Sequence, residues 1–229
     1  MAQRTKTKSR TSSRKTTTGR STARRSTTAK RAAAGRKGGR TSAARRKTTT
    51  RKPAASRRRA VPPAIARAAR EMSRMMEGQS APTDAIALLE KDHREVEAMF
   101  EQFEKLESKP EKAQLAAKIC LALTVHTTIE EELLYPPAHK KIEHDLVDEA
   151  IVEHNGAKLL IAEIEAMKPS EHLYDAKVKV LSEYIKHHVK EEQDEMFPQL
   201  RSSGIDLEDL GEQLMQRKNE LLSQMGGRA

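Results

Sequence analysis

The chain has no tryptophan, three tyrosines, three phenylalanines and a single cysteine in 229 residues. One cysteine excludes an intrachain disulfide framework, and its place between Ile119 and Leu121 reads as a small core residue. No run of 18 apolar residues occurs, so no membrane span is expected. No apolar stretch follows the first residues, so no secretory signal is expected either. Acidic residues are missing from residues 1–70, which hold 24 Lys/Arg and no Asp or Glu. The remaining residues hold 19 Lys/Arg and 33 Asp/Glu. The net charge of +10 is therefore the sum of a basic arm and an acidic domain.

Residues 1–60 also lack Leu, Ile and every aromatic. Nothing there can form a core, so the expectation is an arm disordered when free. Basic pairs recur among small residues, as in SRKTTT, ARRSTT and SRRRA. Such a polycation suits nonspecific nucleic-acid binding by phosphate neutralisation. A transit peptide is a second reading, weakened by the absence of large aliphatics before Val61. A solvated tail, or one that docks on acidic partners, is a third. In composition alone the arm resembles the tails of linker histones and bacterial histone-like proteins. Its Ser and Thr beside Arg can accept phosphate, which would lower the charge.

The rest reads as helices. Thr83 or Asp84 can cap a first helix over about 84–107, and Ser108 with Pro110 a second over about 110–135, ended by Pro136 and Pro137. A third spans about 145–167. A fourth, capped by Ser170, spans about 171–196 and ends near Pro198. Short connections favour an all-α, antiparallel up-down four-helix bundle over 83–200. Residues 61–82 are expected as a linker with a possible short helix, and 201–229 as an appended C-terminal helix and tail.

Each of the four helices carries one histidine inside an apolar stripe. The stripes are Ile86, Leu89, His93, Val96, Phe100; Leu115, Ile119, Ala122, His126, Leu133; Val147, Ile151, His154, Ala157, Ile161; and Val178, Leu181, Ile185, His188. Steps of three and four keep one face of a helix turned the same way. Two stripes add a glutamate four residues on, Glu130 after His126 and Glu192 after His188. An internal repeat supports them: HTTIEEELLYP at 126–136 and HVKEEQDEMFP at 188–198. Aligning Tyr135 with Phe197 selects His188 over its neighbour His187, which falls off the stripe. Buried imidazoles and carboxylates are costly unless paired or bound, and a metal pair explains them together. Single core histidines, a mononuclear site and zinc are the competing readings. His139, His144 and His172 read as surface residues. Met72, Met75, Met76 and Met196 read as packing or linker residues.

The order H, H-x-x-x-E, H, H-x-x-x-E resembles the hemerythrin-like (HHE cation-binding) family over about 84–200. The resemblance implies a non-haem di-iron centre held by His93, His126, Glu130, His154, His188 and Glu192. The two glutamates would bridge the irons beside an oxo or hydroxo bridge. The sequence departs from oxygen-carrying hemerythrins at Lys158, where those have another histidine, and at Glu192, where those have an aspartate. The ligand set leaves about two positions open to water, O2 or peroxide. Tyr184 is a candidate phenolate or hydrogen-bond donor, and Glu131 or Glu191 a candidate support for a ligand. The expectation is an iron- and O2-binding bundle tethered to DNA, cytoplasmic and nucleoid-associated. A di-iron peroxidase- or catalase-like enzyme, an iron- or oxygen-responsive regulator and an architectural DNA-binding protein are the alternatives.

Overall fold

The computed structural model describes residues 61–77 and 83–227, and the basic arm lies outside them. The described residues form helices and no strands. In chain order these are α1 (Pro63–Met76), α2 (Ala85–Lys105), α3 (Lys109–Ile129), α4 (Tyr135–Ala138), α5 (His144–Ala166), α6 (Tyr174–Glu191), α7 (Phe197–Ser202) and α8 (Leu207–Gly226). Two π-helical turns interrupt the series, Glu130–Leu134 after α3 and Glu192–Met196 after α6.

Helices α2, α3, α5 and α6 close a ring in which each packs on the next, α6 returning to α2. Their apolar stripes meet inside, where Ile86, Leu89, Ile119, Ile129, Val147 and Leu181 are buried. Two ends are fixed by carboxylates. Asp84 accepts a hydrogen bond from the Ala87 amide at 2.8 Å, and Asp206 from the Asp209 amide at 3.0 Å. Each satisfies a donor that a helix start leaves without a partner. Ser108 sits at the start of α3 but makes no side-chain cap. Ser170 does not cap α6. The chain instead turns through Leu173, at φ 74°, and the helix begins at Tyr174.

The prolines also act differently from expectation. Pro136 and Pro137 lie in the first turn of α4, and Pro198 in that of α7, so neither position ends its helix. Each follows a π-turn. The wider turn pairs the Tyr135 amide with the Glu130 carbonyl, and the Phe197 amide with that of Glu192. It breaks the regular ladder just where proline supplies no donor.

Residues 63–76 form α1, which packs on the bundle. Helix α1 buries Ile65, Ala68 and Ala69 against α3 and α8, and α8 buries Leu210, Leu214, Leu221 and Leu222. The pair covers one side of the ring. Gly211 marks the tightest crossing: a β-carbon there would lie 2.7 Å from the Ala85 amide nitrogen. Cys120 is buried, and burial pushes its thiol up to about 12, which suits an inert core residue.

Candidate metal centre

The four histidines arrive from four helices. His93 and His126 bring their Nε2 atoms within 3.0 Å of each other, and His154 and His188 within 3.1 Å. Glu130 and Glu192 lie with them. Glu130 Oε2 is 3.2 Å from His126 Nε2 and 3.4 Å from His154 Nε2. Glu192 Oε2 is 3.3 Å from His93 Nε2 and 3.6 Å from His188 Nε2. Each carboxylate thus reaches from one imidazole pair to the other. Donor atoms of His93, His126, Glu130 and Glu192 all lie within 4.8 Å of one another, as do those of Glu130, His154 and His188. All six residues read from the stripes converge here, and all are buried.

The arrangement has an approximate twofold pattern. The residue before each outer-helix histidine backs the opposite ring: Asp92 Oδ2 lies 3.6 Å from His126 Nδ1, and Glu153 Oε2 lies 2.8 Å from His188 Nδ1. The residue after each glutamate backs the remaining rings: Glu131 is 3.0 Å from His154 Nδ1, and the Gln193 amide 3.3 Å from His93 Nδ1. Such partners fix ring orientation and leave Nε2 facing inward. Lys158 holds Glu131, and Lys218 of α8, itself buried, holds Asp92.

The aromatics of the repeat complete the pattern. Phe197 stacks on His93 with centroids 5.9 Å apart, and Tyr135 lies against His154 at 5.4 Å. The Tyr135 hydroxyl donates to Glu192 Oε1 at 3.1 Å. In an α-helix a residue five places after the glutamate would point about 140° away from it. The π-turn adds the residue that returns it to the same face.

Tyr184, the sequence candidate for this role, packs instead beside Gly156, where an added β-carbon would meet its hydroxyl at 2.5 Å. Glu131 supports a ring, whereas Glu191 pairs with the exposed His187 at 3.1 Å. His139, His144 and His172 are exposed, and Met196 is packed in the core. The sequence reading missed Tyr135, Asp92, Glu153 and Gln193. A signal was present for two of them: the stripe histidines of α2 and α5 are each preceded by an acid.

Electrostatics set the centre's character. Burial, then Glu192 and Asp92, push the Glu130 carboxyl well above the usual carboxylate range. Burial pushes Glu192 the same way, but His188 and His93 prevail and hold it below that range. Burial, joined by the neighbouring His188, lowers His154 to about 2 and keeps it a neutral imidazole. Burial, then Glu130 and Glu192, raise the Tyr135 phenol well above its ordinary value, so it remains a donor.

A cation fits this set. Both Glu130 oxygens, Glu192 Oε2 and His126 Nδ1 are buried with no hydrogen-bond partner. His126 Nδ1 faces Asp92 on the outer side of its ring. Buried polar atoms are nearly always paired, so the three carboxylate oxygens mark a place built for something else. Glu130 Oε2 and Glu192 Oε2 also face the inward ring nitrogens. Nitrogen and oxygen donors in this mixture suit a divalent transition metal.

Fold and site together define a helical bundle with a buried histidine–carboxylate cluster built on facing helices. The profile described as "Hemerythrin HHE cation binding domain" matches residues 84–200, and the chain belongs to that family. A crystal structure of a hemerythrin HHE cation binding domain-containing protein from Mycobacterium kansasii is similar in fold. Its TM-score is 0.53 at 22% identity, covering 61% of this chain and 87% of that one. A protein named DNA nickase from Nostoc sp. (strain PCC 7120 / SAG 25.82 / UTEX 2576) is 25% identical over 140 residues. The match spans 60% of this chain but only 40% of that relative's length.

Proposed function

We propose that this protein holds two non-haem iron ions and meets O2 or a related oxidant there, while residues 1–60 tether it to nucleic acid. His93, His126, His154 and His188 would supply the nitrogen ligands, and Glu130 and Glu192 the carboxylate ligands. The observation that carries the reading is the pair of buried glutamates with partnerless oxygens between two imidazole pairs. When bound, paired irons would supply one-electron redox chemistry and open positions for a small ligand. The chain's own residues do the rest. Glu131, Glu153, Asp92 and Gln193 orient the rings, and the Tyr135 hydroxyl positions Glu192. A cavity of about 30 Å³ touches all four histidines and is otherwise walled largely by apolar side chains such as Val96, Leu123 and Ile185. That is room for a water-sized or diatomic guest and poor solvation for a larger polar one.

The test is metal analysis with an absorption spectrum and a thermal melt of the full chain. The expected result is about two irons per chain, a near-ultraviolet charge-transfer band and a melt raised by iron. His188→Ala should lose iron and the band. A chain that binds no iron, or whose melt ignores it, overturns the proposal.

A second reading comes from the relative's name. A DNA nickase similar over this region, together with the basic arm, favours assaying phosphodiester cleavage. Conversion of supercoiled plasmid to open circles, dependent on metal and lost with the centre's ligands, would replace the oxidant reading. We assign the protein to the cytoplasm, at the nucleoid. No described helix is long and apolar enough to cross a membrane.

A further inference from the structure

The side of the centre away from α1 and α8 carries a feature that binding alone does not require. His187, adjacent to His188, is 61% exposed. Its Nε2 lies 3.1 Å from Glu191 Oε1 and 3.6 Å from Glu153 Oε1. The donor atoms of these three residues fall within 4.8 Å of one another, a second histidine–carboxylate group nearer the surface. Glu153 belongs to both groups: its other oxygen, Oε2, holds His188 Nδ1 at 2.8 Å.

A small cavity of about 10 Å³ lies between the two. Glu149, Glu153, Glu191 and Glu192 line it together with His188, and no Lys or Arg does. Glu149 is exposed and Glu191 half-buried, whereas Glu192 is 2% exposed and belongs also to the centre, where its Oε2 lies 3.3 Å from His93 Nε2. The order from solvent inward is thus carboxylates and an imidazole, a cavity of about one ion's or one water's size, then a ligand of the centre. Two imidazoles face these four carboxylates, His188 at Glu153 and Glu192 and His187 at Glu191; the negative potential that remains concentrates cations and speeds their arrival. The opposite approach differs. There the cavity at the four rings adjoins a cleft of about 480 Å³ with which it shares Met72, Asp92, Glu95, Met99 and Lys218. The cleft's lining sets three lysines, Lys91, Lys118 and Lys218, against two carboxylates, a balance that does not draw in divalent cations.

We propose that Glu153, His187 and Glu191 form a transit site for divalent cations, through which metal enters the centre past Glu149 toward Glu192. The inference rests on the metal-centre reading above. Its site is weak by construction: three donors, one shared with His188, capture a hydrated ion without retaining it. Glu191 and His187 act on the rate of loading, and the six inner residues set its extent.

The test uses the full chain stripped of metal and mixed with Co2+, whose visible absorption reports the ion leaving water for nitrogen and oxygen ligands. The double variant His187→Ala, Glu191→Gln should reach the wild-type amplitude about tenfold more slowly, the loss expected when a focusing surface is removed. The surface pair His139→Ala, His144→Ala serves as control and should load at the wild-type rate. Loading of the first variant at the wild-type rate overturns the transit site, as does equal slowing of the control, which would mark a general surface effect. A reduced amplitude also overturns it, because the two residues would then retain the ion. Failure of the wild-type chain itself to take up Co2+ sinks the centre, and the port with it.

Discussion

Glu130 is the residue where folding and binding conflict most. Its side chain is fully buried, both oxygens lack hydrogen-bond partners, and Glu192 and Asp92 stand close enough to oppose its charge. The physical result is a carboxyl whose protonation persists above the usual range. A cation between the imidazole pairs reverses that preference, since only the carboxylate is a ligand. The direction follows directly: with the folded pKa raised in the metal-free protein, binding below that pKa must release a proton. Calorimetric titration of metal into the stripped chain, in buffers of different ionisation enthalpy, should show this release growing as pH falls. Glu130→Gln should reduce the pH-dependent part and weaken binding, leaving the share of His188, which, against the effect of burial, Glu192 and Glu153 raise above its usual value. A buffer-independent heat would show that Glu130 is already ionised. The stripes made Glu130 and the four histidines legible in the sequence, because buried polar residues at helical spacing stand out from an apolar face. Tyr135 was not legible, because it reaches the centre only through a π-turn, and α-helical spacing points it elsewhere. Tyr184 attracted attention for the converse reason: it has the right spacing from His188, but it faces Gly156.

At the scale of elements, the four central helices were readable from their period and the starts of α2 and α8 from Asp84 and Asp206, whereas Ser108, Ser170 and the prolines did not mark the boundaries expected of them. The docking of α1 was harder to see. Its buried face is Ile65 with Ala68 and Ala69, and the two alanines carry little hydrophobic signal but allow close approach. Closeness of the same kind governs α8. Gly211 lets its backbone cross the start of α2, where a β-carbon would meet both the Asp84 carbonyl carbon and the Ala85 amide nitrogen at 2.7 Å. Backbone atoms cannot swing aside as a side chain can. Gly211→Ala should therefore push α8 outward, and overpacking of this kind costs about 1–3 kcal/mol. The displacement has a second consequence, because Lys218 of α8 holds Asp92, which backs His126. We expect a lower midpoint in urea with an unchanged slope, together with weaker metal retention against a chelator. Helix propensity alone would make the substitution stabilising, so a raised midpoint would show that the crossing relaxes freely.

At the scale of the whole molecule the sequence joins two opposite electrostatic objects. Residues 1–60 hold 22 Lys/Arg without one acid, and the residues from 71 onward hold 33 acids against 19 basic residues. The second part should be repelled by a phosphate backbone, and the first attracted by counterion release. Binding to DNA should therefore be strong at low salt and fall steeply, with log K changing by about −0.9 per phosphate neutralised for each unit of log salt. The arm has no aromatic to stack on bases, and phosphate contacts carry no sequence information, so unrelated duplexes should bind alike. Removing residues 1–60 should abolish binding and leave the metal spectrum intact, since every residue of the centre lies between positions 92 and 218. The measurement is a titration of unrelated duplexes at several salt concentrations, for the full chain and the truncated one. Equal binding by both chains would place the contact on the bundle and end the tether reading. Binding by neither would return the arm to its other readings, a transit peptide or a tail for acidic proteins, and the metal centre would then act without a nucleic-acid address.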